Sequence, residues 1–104
     1  MIKEKVWGTE IWIVNNDKYC CKYLHLNKGA VSSYHRHLQK TETFLCIEGK
    51  VRLTIEGKEY NLTEPITIEP HQYHKFEGVE KAVLLEMSTH HDDNDVERLE
   101  ESKP

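Results

Sequence analysis

The chain lacks most of the features that would place it in a broad class at once. No run approaches the roughly 18 apolar residues of a membrane-spanning helix. There is no basic block, and the formal net charge is -4, which argues against nucleic-acid and membrane partners. Three cysteines, Cys20, Cys21 and Cys46, are odd in number and contain no Cys-x-x-Cys pair. That argues against a disulfide framework or a thiolate zinc site, and the thiols are read as small, reduced apolar groups. Met1–Lys5 lacks an apolar stretch followed by a small-residue cleavage site, so the expected location is cytoplasmic. Helical periodicity of useful length is missing before residue 92. A chain of 104 residues has room for one domain. The expectation is a single domain over residues 1–91, followed by a charged tail or short helix over 92–104, with Asp92–Leu99 as the helical candidate.

What is present is a series of short β-prone runs broken by turn residues. Glu10–Val14 ends at Asn15-Asn16-Asp17, and Tyr19–Leu26 ends at Asn27-Lys28-Gly29. Thr43–Glu48 and Val51–Ile55 flank Gly49-Lys50, and Glu56-Gly57 is a hairpin signal before Lys58–Leu62. Ile66–Ile68 lies between Pro65 and Pro70; Phe76 and Ala82–Met87 supply the last strands. This spacing predicts an all-β sandwich or barrel.

Histidine is abundant, with 7 in the chain, and the chemistry concentrates between Gly29 and Gly49. His35 and His37 are two apart on an extended segment, so both imidazoles share one face. Glu42 follows a short connection, and a bend there can return its carboxylate to the two rings. Two imidazoles and a carboxylate form a metal-binding trio with open positions. Phe44 and Cys46 share the face of Glu42 and are expected to line a partly apolar pocket, together with Phe76 and Met87. A further cluster, His90-His91-Asp92-Asp93, is read as solvated.

The segment Gly29-x5-His35-x-His37-x4-Glu42-x6-Gly49 resembles the first cupin motif at every fixed position. The second cupin motif is matched in part: Pro70-His71-Gln72-Tyr73-His74 has the proline and a histidine but lacks the glycine and a following Asn. The resemblance implies a small antiparallel β-barrel or jelly roll, with His74 as fourth ligand and one divalent ion: manganese, iron, cobalt, nickel or zinc. Three shorter segments resemble sugar-metabolising cupins: Val6-Trp7-Gly8, the insertion of Lys40 between His37 and Glu42, and Glu86-Met87-Ser88-Thr89 followed by Asp95 and Arg98.

Those segments imply a metal-dependent sugar or sugar-phosphate isomerase or epimerase acting on a small-molecule ligand. Lys40 stands between two ligands, and Lys22 shares an apolar strand face with Leu24 and Leu26. With Tyr73, they are the candidate catalytic groups; His25 and Glu86 are further proton-transfer candidates. Two rival readings stay open: a non-catalytic sugar- or metabolite-binding module, and a non-haem iron dioxygenase. Leu45 and Ile47 make the opposite face of their strand apolar as well, so a homodimer is expected.

Overall fold

The computed structural model describes residues 1–104. It contains eleven strands and no helix: β1 Ile2–Lys5, β2 Gly8–Asn15, β3 Cys20–Leu26, β4 Tyr34–His37, β5 Glu42–Glu48, β6 Val51–Ile55, β7 Lys58–Asn61, β8 Ile66–Ile68, β9 His74–Gly78, β10 Ala82–Ser88 and β11 Val96–Glu100. Six form one antiparallel sheet in the order β1-β2-β3-β10-β5-β8, and five form a second in the order β11-β4-β9-β6-β7. The fold is all-β, and no helix is long and apolar enough to cross a membrane.

Strand alternation divides the interior into two ends. On β3 the inward residues run Lys22, Leu24, Leu26; on β10 they run Glu86, Leu84, Ala82; on β5 Glu42 precedes Phe44; on β9 His74 precedes Phe76. Register places Lys22 opposite Glu86, and Leu24 opposite Leu84. The charged and imidazole groups therefore stack at one end, and the apolar core fills the other. Leu26, Phe44, Leu53 and Leu84 are each at most 1% exposed, and burying side chains of this size contributes roughly 1.5–3 kcal/mol apiece. Trp7 meets Phe76 edge to face, with ring centroids 5.3 Å apart.

Three sequence expectations need correction. Residues 92–104 form neither a helix nor a free tail. Val96–Glu100 is β11, paired antiparallel with β4, and Lys103 bridges Val31. β4 otherwise bonds only to β9, through the single His35–His74 partnership, so its unpaired backbone groups draw in the C-terminal segment against its local helical composition. Met87 does not line the pocket: Glu86 takes the inward phase of β10, and Met87 is exposed. Cys46 lies outside the cavity lining. Pairing of β10 with β5 shifts at Val83/Leu84, and Cys46 Sγ faces the carbonyl oxygens of Glu48 and Gly49, toward the apolar end. Phe44 and Phe76 do line the cavity.

The outer face of the six-stranded sheet carries an apolar row. Ile2 pairs with Ile11, Ile11 with Tyr23, Tyr23 with Leu85, and Leu85 with Leu45. None of these five side chains is fully buried.

Gly29 and Gly49, the glycines that bracket the histidine segment, both adopt left-handed backbone, with φ of 81° and 80°. A methyl group on Gly29 would meet nothing within 4 Å, whereas one on Gly49 would sit 2.1 Å from the Lys81 carbonyl oxygen. Gly29→Ala is expected to cost about 1–2 kcal/mol from backbone strain alone. Gly49→Ala should cost roughly 1–3 kcal/mol more through overpacking. Urea unfolding checks this; equal midpoints for the two variants would contradict the close approach of the two turns.

Candidate metal centre

His37 and His35 lie on β4, with Arg36 between them turned outward to Glu97. His74 opens β9 directly across from His35, and Glu42 opens β5. The ligand atoms of His35, His37 and His74 all lie within 4.8 Å of one another. Glu42 Oε2 is 3.1 Å from His37 Nε2 and 3.3 Å from His74 Nε2. The His35 and His74 ring centroids are 4.5 Å apart.

Backbone carbonyls fix the orientation of all three rings. His35 Nδ1 donates to Ser33 O at 2.9 Å, His37 Nδ1 to Asp95 O at 3.0 Å, and His74 Nδ1 to Gln72 O at 2.9 Å. A carbonyl oxygen only accepts, so each Nδ1 carries the hydrogen, and the neutral ring presents Nε2 as a lone pair. This is the outer support that metal-ligating histidines require. Glu42 Oε2 and His74 Nε2 are buried and have no hydrogen-bond partner of acceptable geometry. Acceptors of nitrogen and oxygen thus converge with nothing to donate to them, and the donor set fits one divalent cation of the manganese-to-zinc series.

Without a cation, the carboxylate and the imidazoles shift one another. Burial alone would raise the Glu42 carboxyl, but His37, His74 and Lys40 hold it well below its ordinary value. Burial pulls His74 down, and Glu42 more than offsets this, so His74 is raised. His35 falls to about 3 through burial and the repulsion of His74.

The cluster opens onto a cavity of about 300 Å³. Lys40 and Lys22, two of the three catalytic candidates, line it, and each is held by a buried carboxylate. Lys40 Nζ donates to Glu86 Oε2 at 2.7 Å and to His91 Nδ1 at 3.0 Å. Burial would lower the Lys40 ammonium, but Glu86 and then Glu42 outweigh it and keep it charged. Lys22 Nζ is 3.5 Å from Glu10 Oε1 and 4.0 Å from the Trp12 ring centre. Glu10 Oε1 also accepts from Trp12 Nε1 at 2.5 Å.

Tyr73, the third candidate, lies outside the cavity lining. Its ring lies against Tyr34 and the Arg36 guanidinium on the other side of its sheet. It precedes His74, so alternation turns it away from the inward phase. His91, expected to be solvated, is half-buried at the cavity and bonds Asp93 as well as Lys40. Glu10 was not anticipated. The available signal was a glutamate in the strand beside that of Lys22, each in the inward phase of a largely apolar run.

A protein-family model described as a cupin domain matches residues 22–88. The chain belongs to the cupin family. A D-lyxose/D-mannose isomerase from Thermosediminibacter oceani is 36% identical to this cupin, over 77% of the chain and 61% of that relative's length. The chain thus spans less than two-thirds of that enzyme. KdgF from Halomonas sp. superposes with a TM-score of 0.82 at 13% identity, covering 90% of this cupin and 89% of KdgF. The capsular polysaccharide assembling protein CapF from Staphylococcus aureus superposes with a TM-score of 0.84 at 21% identity, covering 96% of this cupin and 34% of CapF. The two structural likenesses establish the fold, a two-sheet jelly-roll barrel.

Proposed function

We propose that this cupin is a metal-dependent aldose–ketose isomerase. The observation that carries this reading is the buried Lys40–Glu86 pair, which opens onto the same cavity as the imidazole–carboxylate cluster. The 36% identity to a D-lyxose/D-mannose isomerase supports it. His35, His37, Glu42 and His74 would hold one divalent ion: manganese, iron, cobalt, nickel or zinc. When bound, the ion supplies a Lewis acid for neighbouring carbonyl and hydroxyl oxygens of an open-chain sugar.

The chain's own residues supply the proton chemistry. Glu86, hydrogen-bonded by Lys40 Nζ, removes the proton from C2 of the aldose and returns it to C1, while the proton of the O2 hydroxyl passes to O1. Lys40 Nζ stabilises that carboxylate and donates to a sugar oxygen in the cavity. Lys22, fixed by Glu10 and Trp12, orients further hydroxyls. Both buried ammonium groups already face carboxylates, while Lys5 and Arg98 line the same cavity without an ion-pair partner. The substrate class is therefore a sugar or a sugar phosphate.

The test incubates protein loaded with manganese or cobalt with aldoses and ketoses in deuterated water. Isomerisation with deuterium at C1 or C2 is expected. Glu86→Gln should lower the turnover about 10²–10⁴-fold while retaining the metal. Saturable sugar binding without exchange would overturn the isomerase in favour of a binding module, and oxygen uptake would favour a dioxygenase.

We also propose that two copies pair through the outer apolar row of the six-stranded sheet, with two-fold symmetry. Nothing within the chain covers that row, and a sheet apolar on both faces requires cover on both. Sedimentation at tens of micromolar, roughly the usual working range for such association, is expected to show a dimer that Leu85→Glu converts to a monomer. A monomeric wild-type protein would refute the pairing.

A further inference from the structure

We propose that Asp95 is a positioning residue, which clamps the connection between His37 and Glu42 to the C-terminal segment and so sets the His37 ring and the Lys40 side chain. The proposal rests on the metal-dependent reading above. It concerns a residue beyond the 22–88 segment that matches the cupin model.

Three successive backbone N–H groups converge on the Asp95 carboxylate. Leu38 N and Gln39 N each donate to Oδ1 at 3.0 Å, and Lys40 N donates to Oδ2 at 3.1 Å. The same residue's carbonyl oxygen accepts from His37 Nδ1 at 3.0 Å. One aspartate thus holds a ligand ring through its main chain and the next three residues through its side chain. Asp95 is itself anchored: its N–H donates to Asp92 O at 3.0 Å, and the following Val96 pairs with His37.

The consequences follow from where the clamped residues lead. Lys40 is the last of the three, and its Nζ reaches Glu86. His37 is the first residue before them, and its Nε2 faces Glu42. Releasing the carboxylate frees three amides, loosens the loop, and lets the His37 ring leave the Asp95 carbonyl. A hydrogen bond between backbone and charged carboxylate is stronger than a neutral one, and three of them on one group make a rigid connection. Outer supports of this kind typically account for 10–100-fold in metal affinity.

An aspartate that only stabilised a turn would change the unfolding midpoint and nothing else. The experiment separates the two roles with Asp95→Ala, Asp95→Asn and, as a stability control, Gly29→Ala. Three quantities are read on each: the ring nitrogen shifts of His37 in metal-free protein, cobalt(II) affinity by chelator competition, and the urea midpoint. In Asp95→Ala, the His37 ring should lose its single Nδ1–H signature, and cobalt should bind about 10–100-fold more weakly. Asp95→Asn keeps one acceptor and should fall between. Gly29→Ala should lose stability without losing cobalt affinity. Wild-type ring shifts and cobalt affinity within about 2-fold in Asp95→Ala would overturn the proposal. Should Asp95→Ala fail to fold, unchanged values in Asp95→Asn would do the same. Wild-type protein that binds no cobalt would refute the metal reading, and the His37 ring shifts would then decide the role of Asp95 alone.

Discussion

Glu42 is a carboxylate at 2% exposure, and the barrel's polar end is organised around the cost of keeping it there. A charge removed from water is strongly destabilising unless other charges and donors compensate. Two imidazoles, His37 and His74, stand against it, yet each ring of the cluster has already committed an N–H to a backbone carbonyl. Glu42 in turn draws His74 above its ordinary value, while His37, His74 and Lys40 draw Glu42 below its own. A divalent ion would compensate the carboxylate and satisfy all four groups at once. The proposed metal centre is therefore the solution to an electrostatic problem that the fold itself creates.

The same logic extends one layer outward. Lys22 and Lys40 are 1% and 3% exposed, and both meet buried carboxylates, Glu10 and Glu86. Replacing such pairs by hydrophobic residues is often neutral or stabilising, so their presence points to function rather than to stability. The apolar end, built on Leu24, Phe44, Leu53, Phe76 and Leu84, supplies the packing that offsets this cost. The C-terminal segment closes the arrangement, because Asp95 and His91 reach the groups that β4 and the following connection present.

Much of this was legible in the sequence. Period-two alternation located the main strands, and it placed Glu42, Phe44, His74 and Phe76 on inward phases. The His-x-His pair is self-evident on an extended segment, and Lys40 stands between two candidate ligands. Other features resisted reading for definite reasons. The apolar run Ala82–Leu85 hides the phase of Met87, and the buried Glu86 beside it fixes the register. Cys46 followed the correct alternation from Phe44, but a shift in pairing near the strand's end takes it out of the cavity. Residues 92–104 have the composition of a solvated helix. The pull on them is the open edge of β4, a tertiary demand that no local window contains. Tyr73 was attractive chemically, yet its adjacency to an inward histidine already implied the outward phase.

In the proposed centre, His35, His37, Glu42 and His74 act together as one cation site. Anomalous diffraction from crystals soaked in cobalt(II) tests it most directly. One dominant peak is expected, in contact with Nε2 of the three histidines and a carboxylate oxygen of Glu42. Cobalt bound elsewhere, with no peak among these four side chains, would contradict it.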